Sequence, residues 1–176
     1  GTMRSGTSMW MQILSKAGFR YIGDAKPAHW AGLASANPHG FFESTLRFGL
    51  NGRTNPNPDT QAYLRPEDTH HHVVKIFVPG LAQTDLAFID AVVATVRPWC
   101  QYAESIMALR AMEREGEDEC VFLHPQVQWF LEMHALLRDA LTRRYGLRIV
   151  PYEDVVREPK PVIRSVLDWL GAGNAA

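Results

Sequence analysis

The residues best suited to chemistry stand at the start of the chain, Met3-Arg4-Ser5-Gly6-Thr7-Ser8, directly ahead of a helical pattern. Glycine lets the backbone turn tightly, so that consecutive N–H groups point inward, and the free N–H groups of a following helix add partial positive charge. Ser5, Thr7 and Ser8 supply hydroxyl donors and Arg4 a full charge. With Gly1 the stretch reads G-x-x-x-x-G-T-S, and Thr7 stands where loops for metal-bound triphosphates keep a lysine. The set suits one phosphate group. A glycine turn capped by Ser or Thr before an ordinary helix has the same outline, so spacing alone leaves both readings open.

Further candidates lie downstream. Lys75 sits in the apolar run 73–78, either aimed at a site or snorkelling from a strand edge. Glu43 and His39 share a loop segment; a carboxylate there suits a general base, or else a solvated cap. Arg97 closes the apolar run 91–96, and its guanidinium fork matches phosphate oxygens. Ser105 follows about two helical turns later and can reach the same phosphate. Tyr152 is suited to a nucleoside wall or to plain packing. His70, His71 and His72 lack a third metal ligand at a set spacing and read as a solvated lead-in to a strand. Trp30, Trp99 and Trp129 read as core or loop anchors.

These side chains need elements to position them. Apolar residues recur at helical spacing over 7–17, 125–145 and from Pro159 or Pro161 to Leu170, with Gly18, Gly146 and Gly171 as stops. Residues 99–114 continue as a helix, followed by an acidic break at 115–119. Along the helix at 125–145, Val127, Phe130, Leu131, His134, Leu137 and Leu141 mark one side. Runs 73–78, 91–96 and 147–150 read as strands, the first nearly continuous in apolar residues, as burial on both faces demands. Residues 24–69, rich in Pro, Gly and Asn, read as long loops with a short helix near 44–50; loops of that length usually form substrate walls. Strands alternating with helices predict an α/β fold with a parallel sheet.

At 176 residues and 46% hydrophobic content the chain is sized for one globular domain, residues 1–176. A net charge of −1 argues against an extended grip on nucleic acid or a sulfated polymer, so any anion site is local. Cys100 and Cys120 have neither disulfide-framework nor metal spacing and read as reduced thiols of a cytoplasmic protein. No apolar run reaches the roughly 18–20 residues that span a bilayer. A phosphate loop follows a strand, and only Gly1 and Thr2 precede Met3, so the chain is expected to begin inside the fold.

Met3-Arg4-Ser5-Gly6-Thr7-Ser8 resembles the P-R-S-G-T-[ST] loop of sulfotransferases that use 3′-phosphoadenosine-5′-phosphosulfate, with Met3 in place of proline. Four later segments follow the same family's order. Asn37-Pro38-His39-Gly40-Phe41-Phe42-Glu43 is similar to a stretch of the bacterial small-molecule branch, and Val73-Val74-Lys75 to the second strand with its lysine. The run 92–97 with Ser105 resembles the 3′-phosphate site, and Pro151-Tyr152-Glu153-Asp154-Val155 the Y-E-D-L segment. Phe77 departs from it, standing where cytosolic members place their base histidine.

The resemblance implies a P-loop NTPase-like three-layer sandwich with a central parallel sheet and long substrate loops. It implies sulfuryl transfer to a hydroxyl or amine of a small-molecule, glycan or lipid-like acceptor, without a metal, in a protein that can pair as a homodimer. Arg4, Ser5, Gly6, Thr7, Ser8, Arg97, Ser105 and Tyr152 then hold the donor, and Arg4, Lys75 and Glu43 act on the transfer, His39 being the second candidate base. Two competing readings are a P-loop kinase, which lacks its lysine at Thr7, and a nucleotide-binding pseudoenzyme, favoured by Phe77.

Overall fold

The computed structural model describes residues 1–27, 37–113 and 123–172. Trp30, the break at 115–119 and Cys120 lie outside the described residues.

Helix α1 (Thr7–Lys16) starts from the glycine loop and buries Trp10, Met11 and Leu14. Strand β1 (Arg20–Ile22) follows and pairs in parallel with β2 (His72–Val74), Tyr21 opposite Val73. Helix α2 (Val78–Gln83) leads through a 3-10 turn at Leu86–Phe88 into β3 (Ala91–Val96) and then α3 (Trp99–Glu113). Helix α4 (Pro125–Arg143) ends with Arg144 in the left-handed region, and β4 (Gly146–Pro151) pairs in parallel with β3. Short α5 (Tyr152–Arg157) and α6 (Pro159–Trp169) close the described chain. Among the described residues the strands form two separate parallel pairs, β1–β2 and β3–β4.

The pleat of β3 divides the core. Val93 packs with Trp10, Leu14, Val150, Val155 and Val166 under α1 and α6. Val92 and Ala94 face the other way, toward Val78, Leu81 and Leu136 of α2 and α4. Successive side chains of a strand point to opposite faces, so the β3–β4 pair carries helices on both sides. A third cluster, Tyr102, Ile106 and Leu109 of α3, packs against Met3 and so braces the glycine loop from below.

Two details depart from the sequence expectation. The apolar run 73–78 is not one strand: pairing stops at Val74, and Pro79 in the first turn of α2 turns Val78 into a helix start. Lys75 and Phe77 therefore lie in the link between β2 and α2, not in a strand. The apolar residues marked along one side of α4 are largely exposed, with Phe130 at 54% and Leu141 at 78%. The helix instead buries Leu136 and half-buries Trp129 and Met133, because α2 and α3 press on that flank. Strand β1 and helix α5 were too short to give a periodic signal.

Candidate functional site

The glycine loop takes its shape from two left-handed residues, Arg4 at φ 63° and Gly6 at φ 95°. A Cβ at Gly6 would meet Tyr152 Cδ2 at 2.9 Å, so glycine is needed there for space as well as for backbone freedom. Arg4 carries a side chain in a region that costs an L-residue roughly 1–2 kcal/mol, a strain of the kind stored at binding sites. Its Nε donates to Ser105 Oγ at 3.1 Å, tying the loop to α3. Ser5 is fully buried and donates to the Thr2 carbonyl at 2.6 Å, so its hydroxyl stiffens the loop from inside.

Below the loop a buried ion pair has formed. Lys75 Nζ donates to Glu43 Oε1 at 2.5 Å, to the Phe41 carbonyl at 2.6 Å and to Ser8 Oγ at 3.2 Å. Both side chains are only 5% exposed. Glu43 is fixed by a two-residue bridge to Asp24, with Asp24 N–H donating to the Glu43 carbonyl at 2.8 Å. Its second oxygen, Oε2, is buried and has no hydrogen-bond partner among the described residues; the Arg47 guanidinium approaches only to 3.6 Å. Burial pulls Lys75 below the usual lysine value, while the Glu43 carboxylate pulls it back.

On the other side of the loop Arg97 lies over the Tyr152 ring, 3.9 Å from its centroid. Such stacking orients a guanidinium while leaving its edge open. Trp129 Nε1 donates to the Arg97 carbonyl at 2.9 Å and holds the backbone there. Arg97 Nε is buried without a hydrogen-bond partner among the described residues.

One cavity of about 570 Å³ gathers these groups; its walls include Arg4, Gly6, Thr7, Ser8, Glu43, Lys75, Arg97, Ser105 and Tyr152. That volume lies in the range of small-ligand sites, roughly 300–1,000 Å³. Ser5 is enclosed behind the loop and does not line the cavity, whereas His39 does. Ser105 lines the same cavity as Arg97 and accepts from Arg4 Nε at 3.1 Å. Trp99 is exposed at the start of α3, away from this wall. His72 Nδ1 lies 2.9 Å from the His70 carbonyl, and among the described residues no three His, Cys, Asp or Glu side chains gather.

Asn37, which opens the segment 37–43, lines the cavity as well, and so do Arg47 and Gln12, which were not singled out from the sequence. For Arg47 a signal existed: it stands four residues after Glu43 at the start of a short helical pattern, the spacing of an ion pair on one face. Gln12 carried none.

No family model, curated protein or solved structure matches the chain.

Proposed function

We propose that the protein is a sulfotransferase that takes its sulfuryl group from 3′-phosphoadenosine-5′-phosphosulfate, and that its two parallel pairs belong to a P-loop NTPase-like three-layer sandwich. The observation that carries the reading is the convergence on one cavity of a left-handed glycine loop, a buried Glu43–Lys75 pair and a stacked Arg97.

Two anion grips at opposite sides of the loop fit a ligand with two phosphate ends. The loop N–H groups with Arg4, Thr7 and Ser8 suit the 5′ end, and the open edge of Arg97 the 3′ phosphate. Transfer breaks the bond between sulfur and the phosphate oxygen as the acceptor oxygen or nitrogen bonds sulfur, and it needs no metal in this reading. Arg4 and the loop offset charge growing on the departing phosphate. Lys75, held beside Ser8, lies where it can face the transferred oxygens. The acceptor's proton passes to Glu43 Oε2, the carboxylate oxygen left without a hydrogen bond. His39, on the same wall, is the second candidate for that proton.

Melting temperature against three nucleotides tests the reading, since a ligand that binds only the folded state stabilises it. Adenosine 3′,5′-bisphosphate is expected to raise the melting temperature at concentrations where AMP does not. Best stabilisation by ATP–Mg²⁺ would point to a kinase instead. Binding of the bisphosphate with no transfer to any of a panel of phenols, alcohols and amines would favour the pseudoenzyme. Glu43→Gln is expected to slow transfer by about 10²–10⁴-fold, the usual contribution of a positioned base; an unchanged rate moves the role to His39.

A further inference from the structure

One cation of the cavity wall has no task in the proposed transfer. Arg4 and Arg97 are taken by the two phosphate ends of the donor, and Lys75 is bound to Glu43. Arg47 is left over. Its guanidinium approaches Glu43 Oε2 only to 3.6 Å, beyond hydrogen-bond range, and makes no hydrogen bond among the described residues. It lies over the Phe48 ring, 4.7 Å from the centroid, is partly exposed, and lines the cavity together with that ring.

The backbone fixes Arg47 in this place. It belongs to a 3-10 turn, Thr45–Phe48, and its carbonyl accepts from the Phe77 N–H at 3.1 Å. That bond pins the turn to the link that carries Lys75, and Phe48 and Phe77 line the same cavity. Phe48 is 57% exposed, a largely open apolar surface. Glu43 is the one carboxylate on this wall among the described residues, and it stands between Lys75 and Arg47. One carboxylate between two cations leaves an excess of positive charge. A guanidinium stacked on a ring keeps the donors along its edge for planar, bidentate acceptors, of which a carboxylate is the best matched.

We propose that Arg47 binds an anionic group of the acceptor, and that the acceptor is a small hydroxylated carboxylic acid whose apolar body lies against Phe48 and Phe77. Calling that ligand the acceptor rests on the sulfotransferase reading, whereas the anion site follows from the free guanidinium edge alone. Glu43 Oε2, the buried oxygen without a hydrogen bond, lies 3.6 Å from Arg47 Nη1. Each hydrogen bond spans about 2.8 Å, so a hydroxyl on Oε2 and a carboxylate oxygen on Nη1 sit no more than about 9 Å apart. A single ring carrying both groups fits that span. A long lipid or glycan with its charge far from the reacting hydroxyl does not.

Two acids test this, 4-hydroxyphenylacetate and 3-hydroxybenzoate, each paired with its uncharged amide. Calorimetry on the unmodified protein, alone and with adenosine 3′,5′-bisphosphate, is expected to show at least one acid binding about tenfold or more tighter than its amide. Arg47→Met is expected to bring the affinity for that acid down to that of the amide and to change the amide little. Arg47→Lys keeps the charge but loses the planar fork, and should fall between. The preference of the unmodified protein carries the test even if a variant fails to fold. Binding is read without turnover, so the two readings fail separately. A preference for acid that depends on Arg47, with no transfer to either acid, keeps the anion site and counts against the sulfotransferase. Transfer to acid and amide with equal KM keeps the sulfotransferase and overturns the anion site. Equal affinity for acid and amide, no binding of any of the four compounds, or a preference that survives Arg47→Met overturns it as well.

Discussion

Glu43 and Lys75 hold each other in a place where neither is tolerated alone. Removing one member of a buried ion pair strands the other, at about 3–5 kcal/mol, whereas replacing both with uncharged groups is often close to neutral. Lys75→Met is therefore expected to lower the urea midpoint strongly. The double variant Glu43→Gln with Lys75→Met should recover most of that loss. Activity should not recover with it, because the double variant lacks both the proposed proton acceptor and the cation beside Ser8. Recovery of transfer with stability would show that the pair is purely structural. Arg97 makes a separate residue-scale case. Its ring stack on Tyr152 needs a planar guanidinium, so Arg97→Lys should weaken adenosine 3′,5′-bisphosphate binding by about tenfold and AMP binding little. Titration calorimetry with the two nucleotides measures the difference.

The loop that joins Gly1 to α1 works as one element, because Gly6 is at once its left-handed turn and the surface on which Tyr152 lies. Gly6→Ala forces a methyl group into φ 95° and against the Tyr152 ring. The expected cost is about 1–3 kcal/mol of stability, with loss of bisphosphate binding because the N–H groups no longer converge. Pairing it with Tyr152→Ala removes the contact but not the backbone strain. If the double variant binds nucleotide like the unmodified protein, the loop's shape depends on Tyr152 contact and not on the glycine's conformation. Neighbouring α2 shows a second close approach: a Cβ at Gly80 would meet the Phe48 carbonyl carbon at 2.5 Å. That contact brings the Phe77 N–H to 3.1 Å from the Arg47 carbonyl and so fixes the cavity wall carrying Arg47.

At the scale of the whole molecule, a chain prepared to start at Gly1 gains a pH dependence of stability from its buried amine. Its folded pKa is lowered from 8.0 to about 6, chiefly by desolvation, against the raising influence of Glu132. Between those values the unfolded chain holds a proton that the folded one sheds, so stability rises with pH from 6 to 8 and the penalty is fully present below 6. At about 1.4 kcal/mol per pH unit the swing is roughly 2–3 kcal/mol. Acetylating the Gly1 amine should flatten that part of the profile and raise the melting temperature at pH 6. An unchanged slope in urea titrations after acetylation would assign it to another group.

Sequence alone determined the helices whose periodicity and punctuation are local: Thr7–Lys16, Trp99–Glu113, Pro125–Arg143 and Pro159–Trp169 lie within a residue or two of their expected bounds. It also picked out strand Ala91–Val96 and a glycine loop whose Gly6 stands in the left-handed region. Tertiary structure decided what depends on distant neighbours. Nothing near Val78 in the chain distinguishes a strand end from a helix start except Pro79, and nothing near α4 says which flank its neighbours will cover. The pairing of Glu43 with Lys75 spans 32 positions, and that of Arg4 with Ser105 spans 101. Side-chain types announce what a residue can do; only the fold, by bringing far segments within hydrogen-bond range, decides what it meets.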